Sequence, residues 1–140
     1  MSANLDLVRS IYAARARGDF SGGAEWAHPD IEVVFADGPT PGSWKGLAGA
    51  AEALRDFLGA WEGFRGEADE YRELDDERVL VLVLMSGRGK TSGVELEQLR
   101  AKAASLYHVR NGKVTKIVNY LDCERAFVDL GLTPEAGSQR

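Results

Sequence analysis

Cysteine and histidine are nearly absent from this chain. Cys123 stands alone, so no disulfide can form within the chain, and a reducing cytoplasm is the simplest setting. His28 and His108 are the two histidines, too few beside one cysteine to point to a zinc site of the usual kind. Long apolar runs are also missing. None approaches the ~20 residues of a membrane span, and the opening MSANLDLVRS places Asp6 and Arg9 where a secretory leader needs unbroken apolar sequence. Positive charge is not in excess. A net charge of −5 gives no electrostatic reason to expect nucleic acid or an anionic membrane surface as partner. No repeat, low-complexity tract or linker divides the sequence, so residues 1–140 are expected to form a single domain around one core. With 44% hydrophobic and 28% charged residues, that core has ordinary material to work with.

What the chain does contain is clear periodicity. Leu5, Val8, Ile11 and Tyr12 recur at helical spacing until Gly18-Asp19 breaks the pattern. A short second helix is predicted over Gly22 to Ala27, started by Ser21 and halted by Pro29, which disfavours helical backbone at His28. In DIEVVF, the residues Ile31, Val33 and Phe35 alternate onto one face of a strand. The glycines and prolines of ADGPTPGSWKG read as a loop. From Leu47, apolar residues at Ala50, Ala51, Leu54, Phe57, Leu58 and Trp61 mark a third helix with a wide apolar face.

The second half changes character. FRGEADEYREL reads as a polar strand, with DDE as a turn after it. VLVLVLM, Val79 to Met85, has no polar position, as a central strand covered on both faces would. SGRGKTSG reads as a flexible connection, and LEQLRAKAASLYHV as a long strand. RNGK supplies Asn-Gly for a tight hairpin turn, and Val114 to Leu121 completes the hairpin. Asp122 is placed to cap a last helix that Gly131 ends, with Pro134 beyond.

Helices gathered before a meander imply an α+β fold, a curved, mostly antiparallel sheet with helices on one face. Such a cone, left unfilled, becomes a ligand pocket. The Gly-Asp-Phe end of the first helix, HPDIEVVF, RNGKV and NYLDCERAFVDLGL together resemble the SnoaL-like, polyketide cyclase-like branch of the nuclear transport factor 2-like superfamily. The likeness covers nearly the whole chain. It implies a cone-shaped sheet wrapped around N-terminal helices, a cystatin-like roll, commonly dimeric through the outer face of its sheet. Members include polyketide cyclases, ketosteroid isomerases, limonene-epoxide hydrolases and proteins with no known activity, so function rests on the site.

Alternation places Ala101, Ala103, Ser105, Tyr107 and Val109 on one face of the long strand and Lys102, His108 and Arg110 on the other. The first set suits the inside of a cone. By resemblance, Ser105 stands where ketosteroid isomerases keep a protonated aspartic acid, and its hydroxyl is expected either to donate to a ligand oxygen or to bond a nearby backbone carbonyl. The isomerase base has no counterpart, because Val33, Val34 and Phe35 do not titrate; Asp37 lies past the strand and reads as a loop residue. Ile11, not Tyr12, falls at the isomerase tyrosine position. IVNYLD resembles the hydrolase strand whose aspartate activates water, but Asn119 occupies that place and an amide cannot take the proton.

Other signals carry less. GKT, Gly89 to Thr91, ends like a phosphate-binding loop, but Leu84 occupies the required first glycine position, and no cofactor is expected. His28 reads as a helix end, His108 as an outward residue, Cys123 as a silent thiol, and Glu67, Asp69, Glu70 and Glu73 as a solvated strand face. No catalytic residue is assignable. Tyr12, Ser105, Tyr107 and Asn119 are the expected ligand-binding groups of an apolar cone that takes a small, largely apolar molecule, as a binder or as an isomerase, cyclase or hydrolase. The competing expectation is a non-catalytic module whose cone is filled by Trp26, Trp44, Trp61 and phenylalanines. For Asn119 itself, ligand anchoring stands beside a core-ordering bond to Ser105 or Tyr12. Apolar Ala104, Leu106, Val118 and Tyr120 on the outer face predict a homodimer that covers them.

Overall fold

The computed structural model describes residues 3–17, 23–37, 41–59, 61–89 and 102–132. Its elements in chain order are α1 (Ala3–Ala16), α2 (Gly23–Trp26), β1 (Ala27–Phe35), β2 (Gly42–Lys45), α3 (Gly46–Gly59), β3 (Trp61–Asp75), β4 (Arg78–Gly89), β5 (Lys102–Arg110), β6 (Lys113–Tyr120) and α4 (Cys123–Leu130). The six strands make one sheet in the order β2-β1-β6-β5-β4-β3. Every neighbouring pair is antiparallel except β1 and β6, the second and third strands of that order, which run parallel. The expected α+β architecture is present.

Both faces of the sheet are apolar, and each has a cover. On the inner face, Val79, Val81, Val83 and Met85 of β4 join Ala103, Tyr107 and Val109 of β5 beneath Val8 and Ile11 of α1. Nearby, Val33 and Phe35 of β1 pack with Ala53 of α3, and Trp44 and Phe57 close over them. The intervening residues Leu80, Leu82, Ala104, Leu106 and Tyr120 point the other way and pack with Ala126 and Phe127 of α4. That accounts for the absence of polar residues in VLVLVLM: alternate side chains feed two separate clusters. Leu84 is the exception, at 37% exposed. The outer apolar patch from which a covering partner was expected is therefore largely met by the chain's own last helix.

Local chemistry fixes the joints. Asn111 (φ 53°) and Gly112 (φ 78°) take the left-handed backbone that a two-residue hairpin turn requires between β5 and β6. The Asp122 carboxylate accepts from the Glu124 N–H to start α4, and Gly131 (φ 68°) ends it in the left-handed region. Asp37 is more than a loop residue. Its carboxylate accepts from the Leu121 N–H at 2.6 Å and the Asp122 N–H at 3.3 Å, tying the end of β1 to the exit of β6.

Several boundaries differ from the sequence reading. Part of the expected loop is β2, whose Trp44 pairs with Val33 and meets the Phe35 ring edge-on at 5.7 Å; a four-residue edge strand carries too little pattern to see. The second helix stops at Trp26, and His28 and Pro29 lie in β1, where the register with β6 slips between Ala27 and Glu32 and spares a proline its missing N–H. Trp61 begins β3 opposite Gly89, so α3 ends at Gly59, and 86–89 continue β4 instead of connecting. Ser21, Ala101 and the first part of the long fifth strand lie outside the described residues.

If α4 is the cover of the outer face, removing its largest buried side chain will be costly. Phe127 is 6% exposed, with the Arg72 guanidinium 5.0 Å from its ring centre. Phe127→Ala is expected to lower unfolding free energy by ~3 kcal/mol in urea titration, the usual order for a buried aromatic. A loss under ~1 kcal/mol, no more than an ordinary surface change, would show that α4 is dispensable.

Candidate functional site

Strand registry sets the inner-face site. Phe35 pairs with Asn119, Asn119 with Ser105, Ser105 with Val81 and Val81 with Tyr71, giving one row across five strands. The adjacent row runs Val33, Ile117, Tyr107 and Val79. Tyr12 comes from α1 above, its ring edge-on to both Tyr71 (6.1 Å) and Tyr107 (5.9 Å). All four expected site residues thus fall in one place.

Their polar atoms are connected. The Ser105 hydroxyl donates to Asn119 Oδ1 at 2.7 Å, and the Tyr107 hydroxyl donates to the Tyr12 hydroxyl at 3.0 Å. The Ser105 side chain also reaches the Tyr12 hydroxyl, which joins the two pairs. The bond from Ser105 to Asn119 is one of the two partners weighed for this amide. The Ser105 proton is directed to the side-chain carbonyl of Asn119, not to the backbone carbonyl weighed as its alternative partner. Tyr107 is 1% exposed, whereas Tyr12, Ser105 and Asn119 are half-buried.

The electrostatics keep this cluster neutral. Burial, reinforced by neighbouring Tyr107, pushes the Tyr12 hydroxyl well above the usual tyrosine range, and Arg15 beside its ring only partly opposes that. Tyr71 is also raised by burial, against the pull of Arg9 over its ring at 5.2 Å. These hydroxyls act as hydrogen-bonding groups, not bases. Tyr71 was missed as a site residue. β3 carries an extra residue between Ala68 and Glu70, which shifts the alternation and brings Ala68 and Tyr71 to the same side. An aromatic residue between the charged Glu70 and Arg72 was the available signal.

The remaining candidates lie elsewhere. The His28 Nδ1 accepts from the Asp30 N–H at 2.9 Å. The Cys123 thiol is raised by burial and by Asp122, as suits a silent thiol. His108 lies on the opposite face, beside an open cleft of about 660 Å3 lined by Asp30, Glu32, Lys45, Thr115 and Lys116. That cleft is separated from the tyrosine cluster by the sheet and is not the interior of the cone. Around the cluster, Phe35 stacks on Phe57 at 5.4 Å and Trp44 packs on Phe35, so part of the inner space is filled by aromatic rings.

With fold and site in place, the comparisons assign a class. The chain belongs to the SnoaL-like domain family, which matches residues 8–117. Its fold is nuclear transport factor 2-like. Among solved structures, it is similar to TerC co-crystallised with polyporic acid, at 26% identity and TM-score 0.71, covering 92% of this chain and 98% of that one. A nuclear transport factor 2-like protein from Burkholderia pseudomallei K96243 is 23% identical with TM-score 0.73, covering 91% and 97%. A candidate SnoaL-like polyketide cyclase from Mesorhizobium loti is 20% identical with TM-score 0.66, covering 82% and 96%. No curated protein matches the sequence. No helix among the described residues is long and apolar enough to cross a membrane.

Two outcomes follow from this geometry. Ser105→Ala leaves Asn119 Oδ1 and the Tyr12 hydroxyl without their shared partner and is expected to cost ~1–3 kcal/mol in urea denaturation; an unchanged midpoint would mean that the cluster contributes no order. His108 titrates below its ordinary value, chiefly through burial and then through Lys116 and Arg78, against Asp75 and Glu77. The unfolded chain therefore binds the proton more readily, and stability falls as pH drops through about 6.5, levelling off below the folded-state value. His108→Gln should flatten that part of the profile of urea midpoint against pH.

Proposed function

We propose that this protein binds a small, largely apolar molecule on the inner face of its sheet, beneath α1 and α3, with Tyr12, Ser105, Tyr107 and Asn119 as the polar groups of the site. One observation carries the reading. Four polar side chains from three separate elements converge into a connected cluster while their surroundings are apolar. A fold built only to be filled would more economically place apolar residues there, since buried polar groups cost stability unless paired. The family contributes a precedent for small-molecule binding, and polyporic acid, co-crystallised with TerC, supplies a first probe.

Chemistry by proton abstraction finds no base in this cluster. Tyr12 and Tyr71 stay protonated, and the Asn119 amide lacks a basic site of useful strength. Binding, or a reaction that needs orientation alone, is the function these groups support. Cytoplasmic location, inferred from the lone Cys123, and one domain over residues 1–140 belong to the same proposal. So does a homodimer through the part of the outer face that α4 leaves open. There Glu32 lies beside Lys116 and Lys45 flanks the cleft, so both charge signs are present for a two-fold copy to meet. Sedimentation as a stable monomer at micromolar concentration would remove the dimer and leave the binding site untouched.

The binding reading is tested by calorimetric titration with polyporic acid and with terpenoid, polyketide and aromatic carbonyl compounds. At least one is expected to bind saturably, and Asn119→Leu, folded by circular dichroism, is expected to weaken that compound by about tenfold. Failure of every compound to bind the wild-type protein, or equal binding by the variant, counts against the site.

A further inference from the structure

The proton count of the hydrogen-bonded cluster fixes what remains for a ligand. A hydroxyl has one proton to give. Tyr107 gives its proton to Tyr12, and Ser105 gives its proton to Asn119 Oδ1. The Ser105 side chain also reaches the Tyr12 hydroxyl. Ser105 and Tyr107 thus direct their protons to partners inside the cluster. Among the described residues, the two N–H bonds on Asn119 Nδ2 meet no acceptor, so this amide keeps donor capacity for a ligand. Asn119 is half-buried, on the same face as Ala103, Tyr107 and Ile117, so this donor faces the inner site and not the outer cleft.

Resting on the binding site proposed above, we infer that Asn119 is its specificity-determining residue, taking an uncharged, largely apolar ligand by a carbonyl oxygen that accepts from Nδ2. Ser105, Tyr12 and Tyr107 are positioning residues that hold the amide with its N–H bonds outward. A carboxylate is disfavoured because one neutral amide does not offset the loss of its hydration among apolar groups. Among the described residues, the cations Arg9 and Arg15 lie over the rings of Tyr71 and Tyr12.

Matched pairs that differ only at the acceptor test this: fluorenone against fluorene, and benzophenone against diphenylmethane, titrated into the full-length protein. The ketone of a pair is expected to bind at least about fivefold more tightly than its hydrocarbon, the range set by leaving one buried donor unpaired. Asn119→Asp keeps the size and the acceptor for Ser105 but replaces the donor with an oxygen. It should erase the ketone preference while leaving hydrocarbon binding in place. Ser105→Ala, which frees the amide to turn, should reduce the preference more than it reduces hydrocarbon affinity, a result that loss of stability alone would not give. Equal binding of ketone and hydrocarbon by the wild-type protein overturns the inference and leaves the binding site standing. So does binding of polyporic acid with none of the four probes bound. Failure of polyporic acid and all four probes overturns the site and the inference together.

Discussion

The constraint on which this structure depends is that its central strands are apolar on both faces. A β4 in which Val79, Val81 and Val83 face one way and Leu80 and Leu82 the other cannot lie at a surface without exposing one set. Helices α1 and α3 take one face and α4 takes the other. The placement of everything else follows from that division. The tyrosine cluster sits on the face with two covering helices. The charged cleft with His108 sits on the face that α4, only eight residues long, covers in part.

Within the inner face, the polar cluster is affordable because it is nearly self-satisfied. Each internal hydrogen bond contributes modestly, about 1 kcal/mol, but leaving any one of these groups buried and unpaired costs more. The group of Ser105, Asn119 and Tyr12 therefore behaves as a unit, sensitive to change at any member. Burial holds the Tyr12 hydroxyl protonated, and none of these described residues is a carboxylate that could act as a base. The same low-dielectric setting that would sharpen recognition of a polar atom thus works against proton-transfer chemistry.

Much of the fold could be read from sequence because it is written in short-range rules. The spacing of Val8 and Ile11, the Asn111-Gly112 turn and the Asp122 to Gly131 capping pair each act within a few residues, and each appears where expected. The misreadings involve longer-range causes. Strand β2 exists because β1 offers it an edge, and its own four residues hardly announce it. The extra residue in β3 moves Tyr71 inward against simple alternation. The role of Asp37 depends on Leu121 and Asp122 lying beside it, which no local pattern reveals. Tyr12, Ser105, Tyr107 and Asn119 were identifiable as a group because alternation and family resemblance place them on one face. Which atom donates to which was not, since direction depends on distances set by the assembled sheet.

The parallel pairing of β1 with β6 joins segments far apart along the chain, and Asp37 closes on Leu121 across 84 residues. Contacts of such sequence separation form late, because the closure entropy must be met before they contribute. During synthesis, α1, β1 and α3 emerge from the ribosome long before β6. Phe35 is then available without Asn119, and Tyr12 without Tyr107 or Ser105. The inner site consequently completes in order: the bond of Tyr107 to Tyr12 needs β5, and the bond of Ser105 to Asn119 waits for the final hairpin.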